Sequence, residues 1–280
     1  MTMDAIAIPR SVADPRAARV EARLAQSAFL AGPLRRHGYD SAEPWAWAHY
    51  KPTVLAFVES LRKAGRHDGS GKVRLLEVGG GRGPQFTAEE AETLGISLTV
   101  NDIDARELSM APMGLATACF SIADEVDPAL HGKFDFVFSH MVFEHVKDAP
   151  RAWRNVAQLL APGGAALAFH PTLYSPPFVV NWLAPEAFSA RVLKFFFPSR
   201  HDGDYPKFPA RYEMCVTEPS WVAPKMRSFG FSETLVAPFF GHGYLASIPI
   251  ARELEGVLHV IAERRDWRWL SSYAYTLVRK

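Results

Sequence analysis

The strongest constraint on what this chain can fold into lies at residues 73–83, where the nearly continuous apolar run Val73 to Val78 ends in Gly79-Gly80-Gly81-Arg82-Gly83. A run of this kind suits a central parallel strand covered by helices on both faces. Glycines directly after it let the backbone turn sharply and bring N–H groups close to a ligand, and a following helix offers its N-terminus to negative groups. Such a unit points to an α/β architecture that binds a ligand beyond the carboxyl ends of its strands.

The same alternation continues along the chain. A helix is expected through roughly Gln85 to Leu94, then a strand from Ser97 to Val100 that ends at Asn101-Asp102. Further strands are expected at Ala118 to Ile122, Phe134 to Ser139, Ala165 to Phe169, Phe231 to Val236 and Ser271 to Val278. Pro150 starts a helix with Trp153, Val156, Ala157 and Leu160 on its apolar stripe, and Pro162-Gly163-Gly164 stops it. Ile250, Leu254, Val257, Leu258 and Ile261 recur at helical spacing opposite Arg252, Glu253, Glu255, Glu263 and Arg264, which predicts a helix packed on the sheet. Strands alternating with helices imply a parallel sheet with right-handed crossovers.

Before the first strand, Val12 to about Gly65 has helical periodicity, closed by the polar break His67-Asp68-Gly69-Ser70-Gly71. The chain therefore divides into a helical segment over 1–70 and a main domain over 71–280. Residues 171–218, rich in proline and aromatics, are too long for an ordinary connection and read as an inserted cap. A length of 280 residues accommodates one core with such an insertion.

Composition narrows the partners. With 48% apolar and 22% charged residues the chain is of the globular class, and a net charge of +1 provides no field for a polyanion, so nucleic acid is not an expected partner. Cys119 and Cys215 stand outside any CxxC spacing and support neither a disulfide framework nor a cysteine metal site. There is no leader-like apolar segment and no stretch of about 18 apolar residues, so a cytoplasmic location without stable membrane insertion is expected. His201-Asp202-Gly203-Asp204-Tyr205 offers closely spaced metal-type donors, but Asp-Gly among polar residues is ordinary turn chemistry, and no metal is expected.

Several ligands use a glycine-rich strand-to-helix turn. A dinucleotide fingerprint counted from Gly79 and Gly81 puts Pro84 at its last position and so removes a backbone donor. A phosphate-binding loop needs Gly-Lys-Ser/Thr, which is absent. What the segment resembles is motif I of the class I S-adenosylmethionine-dependent methyltransferases, matched by Glu77, Gly79, Gly81 and Gly83 with Gly80 inside the turn. The resemblance extends to Val100-Asn101-Asp102-Ile103-Asp104 and covers roughly residues 73–170 and 219–280. It implies that Asp102 receives the ribose hydroxyls with Ile103 beside it, that Asp124 contacts the adenine amino group, and that Ser139 faces the cofactor. It further implies S-adenosylmethionine as cofactor and a Rossmann-like methyltransferase fold, with a seven-stranded, mostly parallel sheet and helices on both faces. Arg82 departs from the pattern, where a small or hydroxyl residue is commoner.

Methyl transfer from a sulfonium is an in-line displacement that requires the acceptor to be held about 3 Å from the methyl carbon. A hydroxyl acceptor also needs a base within hydrogen-bond reach. Position beyond the carboxyl ends of the strands selects His140 and His170. Glu144 and His145 lie in a stretch, Ser139 to Val146, that looks like the Glu-His-Val segment of small-molecule methyltransferases. These four are the catalytic candidates, with the choice of base open. The expected partner is a small-molecule acceptor. A weaker resemblance to methyltransferases of polysaccharide and secondary-metabolite pathways, in His170 to Tyr174 and Gly241 to Tyr244, favours the hydroxyl of a sugar or secondary metabolite. The competing readings are a nucleotide-linked oxidoreductase and a binding protein that keeps the fold without turnover.

Overall fold

The structure, a computed structural model, describes residues 14–175, 178–179, 209–243 and 249–280. Strands β1 (Val73–Val78), β2 (Ile96–Asp102), β3 (Ala116–Cys119), β4 (Phe134–His140), β5 (Leu160–Pro171), β6 (Glu233–Phe239) and β7 (Tyr273–Arg279) form one sheet in the order β3-β2-β1-β4-β5-β7-β6. Pairings from β3 across to β5 are parallel, and β7 runs antiparallel to both of its neighbours. The chain moves outward from β1 to β3 and then returns to place β4 on the other side of β1. That reversal opens a crevice beyond the carboxyl ends of β1 and β4, where α/β sheets bind ligands. The expected seven-stranded, mostly parallel sheet is therefore observed.

Helices cover both faces because β4 presents alternate side chains to each. On one side Phe136 stacks on Phe57 of α3 (Glu43–Lys63) at 5.0 Å, and Val54, Val58 and Leu61 are buried with it. On the other, Val137 and Ser139 lie against Trp153 and Val156 of α6 (Ala149–Leu159), whose N-cap Asp148 accepts from the Arg151 N–H at 2.8 Å. Two shorter helices precede α3: α1 (Pro15–Leu24), capped by Asp14, and α2 (Ala28–Arg36), capped by Ser27. They share the sheet's core, since Leu24, Leu30 and Leu34 belong to the same buried cluster as the strands. Polar ties hold the segment before β1 in place. The Tyr39 hydroxyl donates to the Pro238 carbonyl at 2.6 Å, the Tyr275 hydroxyl to that of Ala46, and buried Arg23 to Asp266 at 2.8 Å.

Three expectations change. The helix after the glycine turn, α4, begins only at Ala88 and ends at Thr93, because Thr87 and Glu90 form a capping box while the Gln85 N–H is already committed to Glu77. β3 lies earlier than Ala118 to Ile122. It can pair only along β2, which ends at Asp102 opposite Cys119, so Phe120 to Ile122 have no strand to join despite their β propensity. The third change concerns α8 (Pro249–Arg265), which follows α7 (Pro219–Ser228) and does not lay its apolar stripe on the sheet. Ile250, Leu254, Val257 and Ile261 are exposed, while Glu255 and Ala262 are buried and Leu258 packs on Phe240 and Leu270. Of the expected cap, residues 176–177 and 180–208 lie outside the described residues, and with them Phe195 to Phe197 and the stretch His201 to Tyr205.

Candidate active site

The turn after β1 is built around a lack of side chains. Gly79 has φ +73°, and a Cβ there would sit 2.5 Å from Val142; one on Gly80 would sit 2.8 Å from Val100 and 3.1 Å from Glu77. Gly81, at φ +45°, would place a Cβ 2.9 Å from an Asp102 carboxylate oxygen. Each would collide with a neighbouring side chain. The Gly80 N–H donates to the Asn101 carbonyl at 3.0 Å and so locks the turn to the end of β2. Gly83 has open space around it and does not share this requirement.

Glu77 is buried, and both carboxylate oxygens accept from the Gln85 N–H at 3.0 Å. Burial pushes its pKa up to about 8, against the pull of that N–H and of Lys51. Asp102 ends β2 with one oxygen accepting from the Asp104 N–H at 3.0 Å, and burial holds it above the usual carboxylate range. Ile103 beside it is exposed at the crevice edge. Arg82 has an explanation that spacing rules do not supply. It makes a bidentate pair with Glu107 of α5 (Ala105–Ser109), at 2.6 and 2.5 Å, which ties the glycine turn to the element after Asp102.

Asp124 is exposed and stands in a turn five positions beyond β3 rather than at the strand's end. That turn is held by Asn155 of α6, whose amide donates to the Ile122 and Asp124 carbonyls at 2.7 and 2.6 Å. Ser139 is buried on the α6 side, beside a void of about 10 Å³ lined by Val137, Phe143, Trp153 and Ala168. Its hydroxyl has no hydrogen-bond partner among the described residues.

The four catalytic candidates separate. His140, at the end of β4, stands beyond the crevice with its ring 5.3 Å from Trp47, 4.8 Å from Tyr50 and 5.2 Å from Phe169, in edge-on contacts. Burial lowers its pKa, so its imidazole is neutral at pH 7. Glu144, in the short 3-10 turn Phe143–His145, is buried, and burial raises its pKa to about 8. Its carboxylate lies 3.7 Å from the His145 ring, and its carbonyl accepts from the N–H groups of Arg211 and Tyr212 at 2.6 and 3.1 Å. His170 does not join them. Its ring nitrogens contact the Pro171 carbonyl and the Thr276 hydroxyl, both at 2.9 Å, inside the β5–β7 pair, and burial lowers its pKa to about 4. Both of its ring nitrogens are engaged within the β5–β7 pair.

Sequence reasoning expected the N-terminal helices beside the acceptor but named no residue of the wall opposite His140. Trp47 and Tyr50 stand one turn apart on α3, and Phe169 and Tyr273 complete an aromatic enclosure with Trp47 at 4.9 and 5.6 Å. The Tyr50 hydroxyl is buried with no hydrogen-bond partner among the described residues, and Glu77 lies near enough to raise its pKa further. The available signal was the aromatic run Trp45 to Tyr50, placed in the helix before the first strand.

The comparisons agree with this geometry. The family model described as a methyltransferase domain matches residues 31–193, more than half of the chain. The chain is 32% identical over 146 residues to a chloroplastic tocopherol O-methyltransferase of Arabidopsis thaliana, covering 48% of this chain and 42% of that protein. It is 31% identical over 127 residues to a ubiquinone biosynthesis O-methyltransferase of a Caulobacter species, covering 41% of this chain and 50% of the other. The chain thus spans about half the length of the curated relatives it matches. Among solved structures, the DszA carbon methyltransferase superposes with a TM-score of 0.52 at 14% identity, over 93% of this chain and 60% of that one, which is a likeness of fold.

Proposed function

The chain belongs to the methyltransferase-domain family, the class I S-adenosylmethionine-dependent enzymes, and from that premise we propose that it methylates a hydroxyl of a small molecule held between α3 and the end of β4. The cofactor is S-adenosylmethionine, which when bound supplies an electrophilic methyl group. The crevice fits it. The Gly79 to Gly81 turn carries no side chains, Asp102 offers a carboxylate for paired hydroxyls, and Glu77 with the Tyr50 hydroxyl, unpartnered among the described residues, offers polar groups nearby. Family membership also removes the oxidoreductase reading.

The observation that carries the hydroxyl assignment is His140, a neutral imidazole beyond β4 that faces Trp47 and Tyr50. A neutral imidazole accepts a proton, as an alcohol or phenol acceptor requires. Trp47 and Phe169 give a flat or ring-shaped acceptor an apolar surface to lie against, with a sugar or a secondary metabolite as the class favoured. The two O-methyltransferase relatives support oxygen as the acceptor atom.

The test is transfer of labelled methyl from S-adenosylmethionine to a panel of hydroxylated acceptors, followed by the same assay on His140→Gln. A loss in kcat of about 10²–10⁴-fold with unchanged S-adenosylhomocysteine affinity is expected. Activity should hold through pH 7 and fall only below the usual histidine range, because protonation of His140 is displaced to lower pH. An unaltered kcat removes His140 as the base.

A further inference from the structure

Away from the crevice, the loop after β6 and helix α8 bring His242, Glu255 and His259 together. One nitrogen or oxygen from each lies within 4.8 Å of the others. Glu255 and His259 are one turn apart on α8, His242 Nε2 meets a Glu255 carboxylate oxygen, and the two imidazole rings stand 5.3 Å apart at 84°. His259 Nε2 is buried and has no hydrogen-bond partner among the described residues. We propose that this trio is a binding site for a zinc-class divalent cation, with three protein ligands and one open coordination position.

Three observations carry it. First, the donor set of two imidazoles and one carboxylate is that of a borderline cation; calcium and magnesium favour all-oxygen sets. Metal–ligand bonds of about 2.0–2.2 Å require ligand atoms roughly 3.5 Å apart, which small rotations of these side chains reach. Second, α8 is turned against its own amphipathicity. It buries Glu255 and half-buries His259 while leaving Ile250, Leu254, Val257 and Ile261 exposed. Facing the apolar stripe inward would be favourable by about 25 cal/mol for each Å² covered, so the inward face must gain from something else. A cation bound by that face supplies the gain. Third, His259 Nε2 is buried without a hydrogen-bond partner among the described residues, a polar atom that a bound cation would satisfy.

The site adjoins the acceptor side. The His242 ring lies 6.3 Å from Phe178, which lies 5.6 Å from Tyr273 of the aromatic enclosure. A cation here would fix the loop after β6 to α8, with its fourth position left for water or another oxygen donor. The inference does not rest on methyl transfer and is tested without it.

Tag-free protein, stripped with chelator, is titrated with zinc against a chromophoric competitor, and separately with cobalt. The expected result is one zinc per chain at about micromolar affinity or tighter, and a visible cobalt spectrum of four-coordinate intensity. His259→Ala and Glu255→Gln should each weaken zinc by more than about tenfold. His67→Ala, at an exposed histidine elsewhere, should leave it unchanged. S-adenosylhomocysteine binding, measured on every variant, reports that the fold is intact. Two results would each overturn the site: a cobalt spectrum showing only the hexaaqua ion, or zinc affinity the same in His259→Ala and Glu255→Gln as in the parent.

Discussion

At the scale of single residues, the glycine turn is less uniform than its motif. Gly79, Gly80 and Gly81 are each required by a named neighbour, whereas Gly83 is not. Gly81→Ala should therefore weaken S-adenosylhomocysteine binding at least about tenfold in calorimetry, since its Cβ would press on Asp102 in a backbone conformation that costs about 1–3 kcal/mol for a non-glycine residue. Asp102→Ala should do the same by removing a charged acceptor, and Gly83→Ala should bind as the parent does. Equal losses at Gly81 and Gly83 would refute this account of the turn. The glycines, Glu77 and Asp102 were all legible in the sequence, because a backbone turn and an acid at a strand end are local features. The partner of Arg82 was not, since Glu107 reaches it only after β2 and α5 are in place.

At the scale of elements, the difference between His140 and His170 comes from which strand faces which neighbour. Both follow a parallel strand in sequence, but β5 is flanked by β7, whose Thr276 takes the His170 ring, while β4 ends beneath α3. His170 is thus kept neutral, with a folded pKa near 4 below its ordinary value of 6.5. Between these values the unfolded chain binds the extra proton. The histidine's contribution is therefore complete above pH 6.5 and is lost as pH falls toward 4. Measured by urea unfolding, the stability advantage of the parent over His170→Gln should shrink by up to about 3 kcal/mol across that window. An advantage independent of pH would show that His170 is not buried neutral. The same limit on local reading explains β3 and α8. An edge strand is as long as its partner permits, and an amphipathic helix can be turned over by a polar cluster that periodicity does not register.

For the whole molecule, the helices before β1 are part of the core. Phe57 stacks on Phe136 in the middle of the sheet, so Phe57→Ala should cost about 3–5 kcal/mol in chemical denaturation, as a large core truncation does. A cost under about 1 kcal/mol would mean that these helices only lean on a sheet that stands without them. The same packing makes the aromatic wall, because Trp47 and Tyr50 reach His140 only when α3 lies across β4. The methyl donor is what the resemblance to motif I implies; what the sequence by itself determined was the α/β class, the strand-to-glycine cradle and the acid that ends β2. Those depend on periodicity and short spacing, which act through neighbours along the chain. What only the tertiary structure decided was which histidine meets Trp47 and Tyr50, what encloses it, and the meeting of His242 with Glu255 and His259. Each joins segments far apart in sequence, and such contacts are set by the packing of helices on a finished sheet.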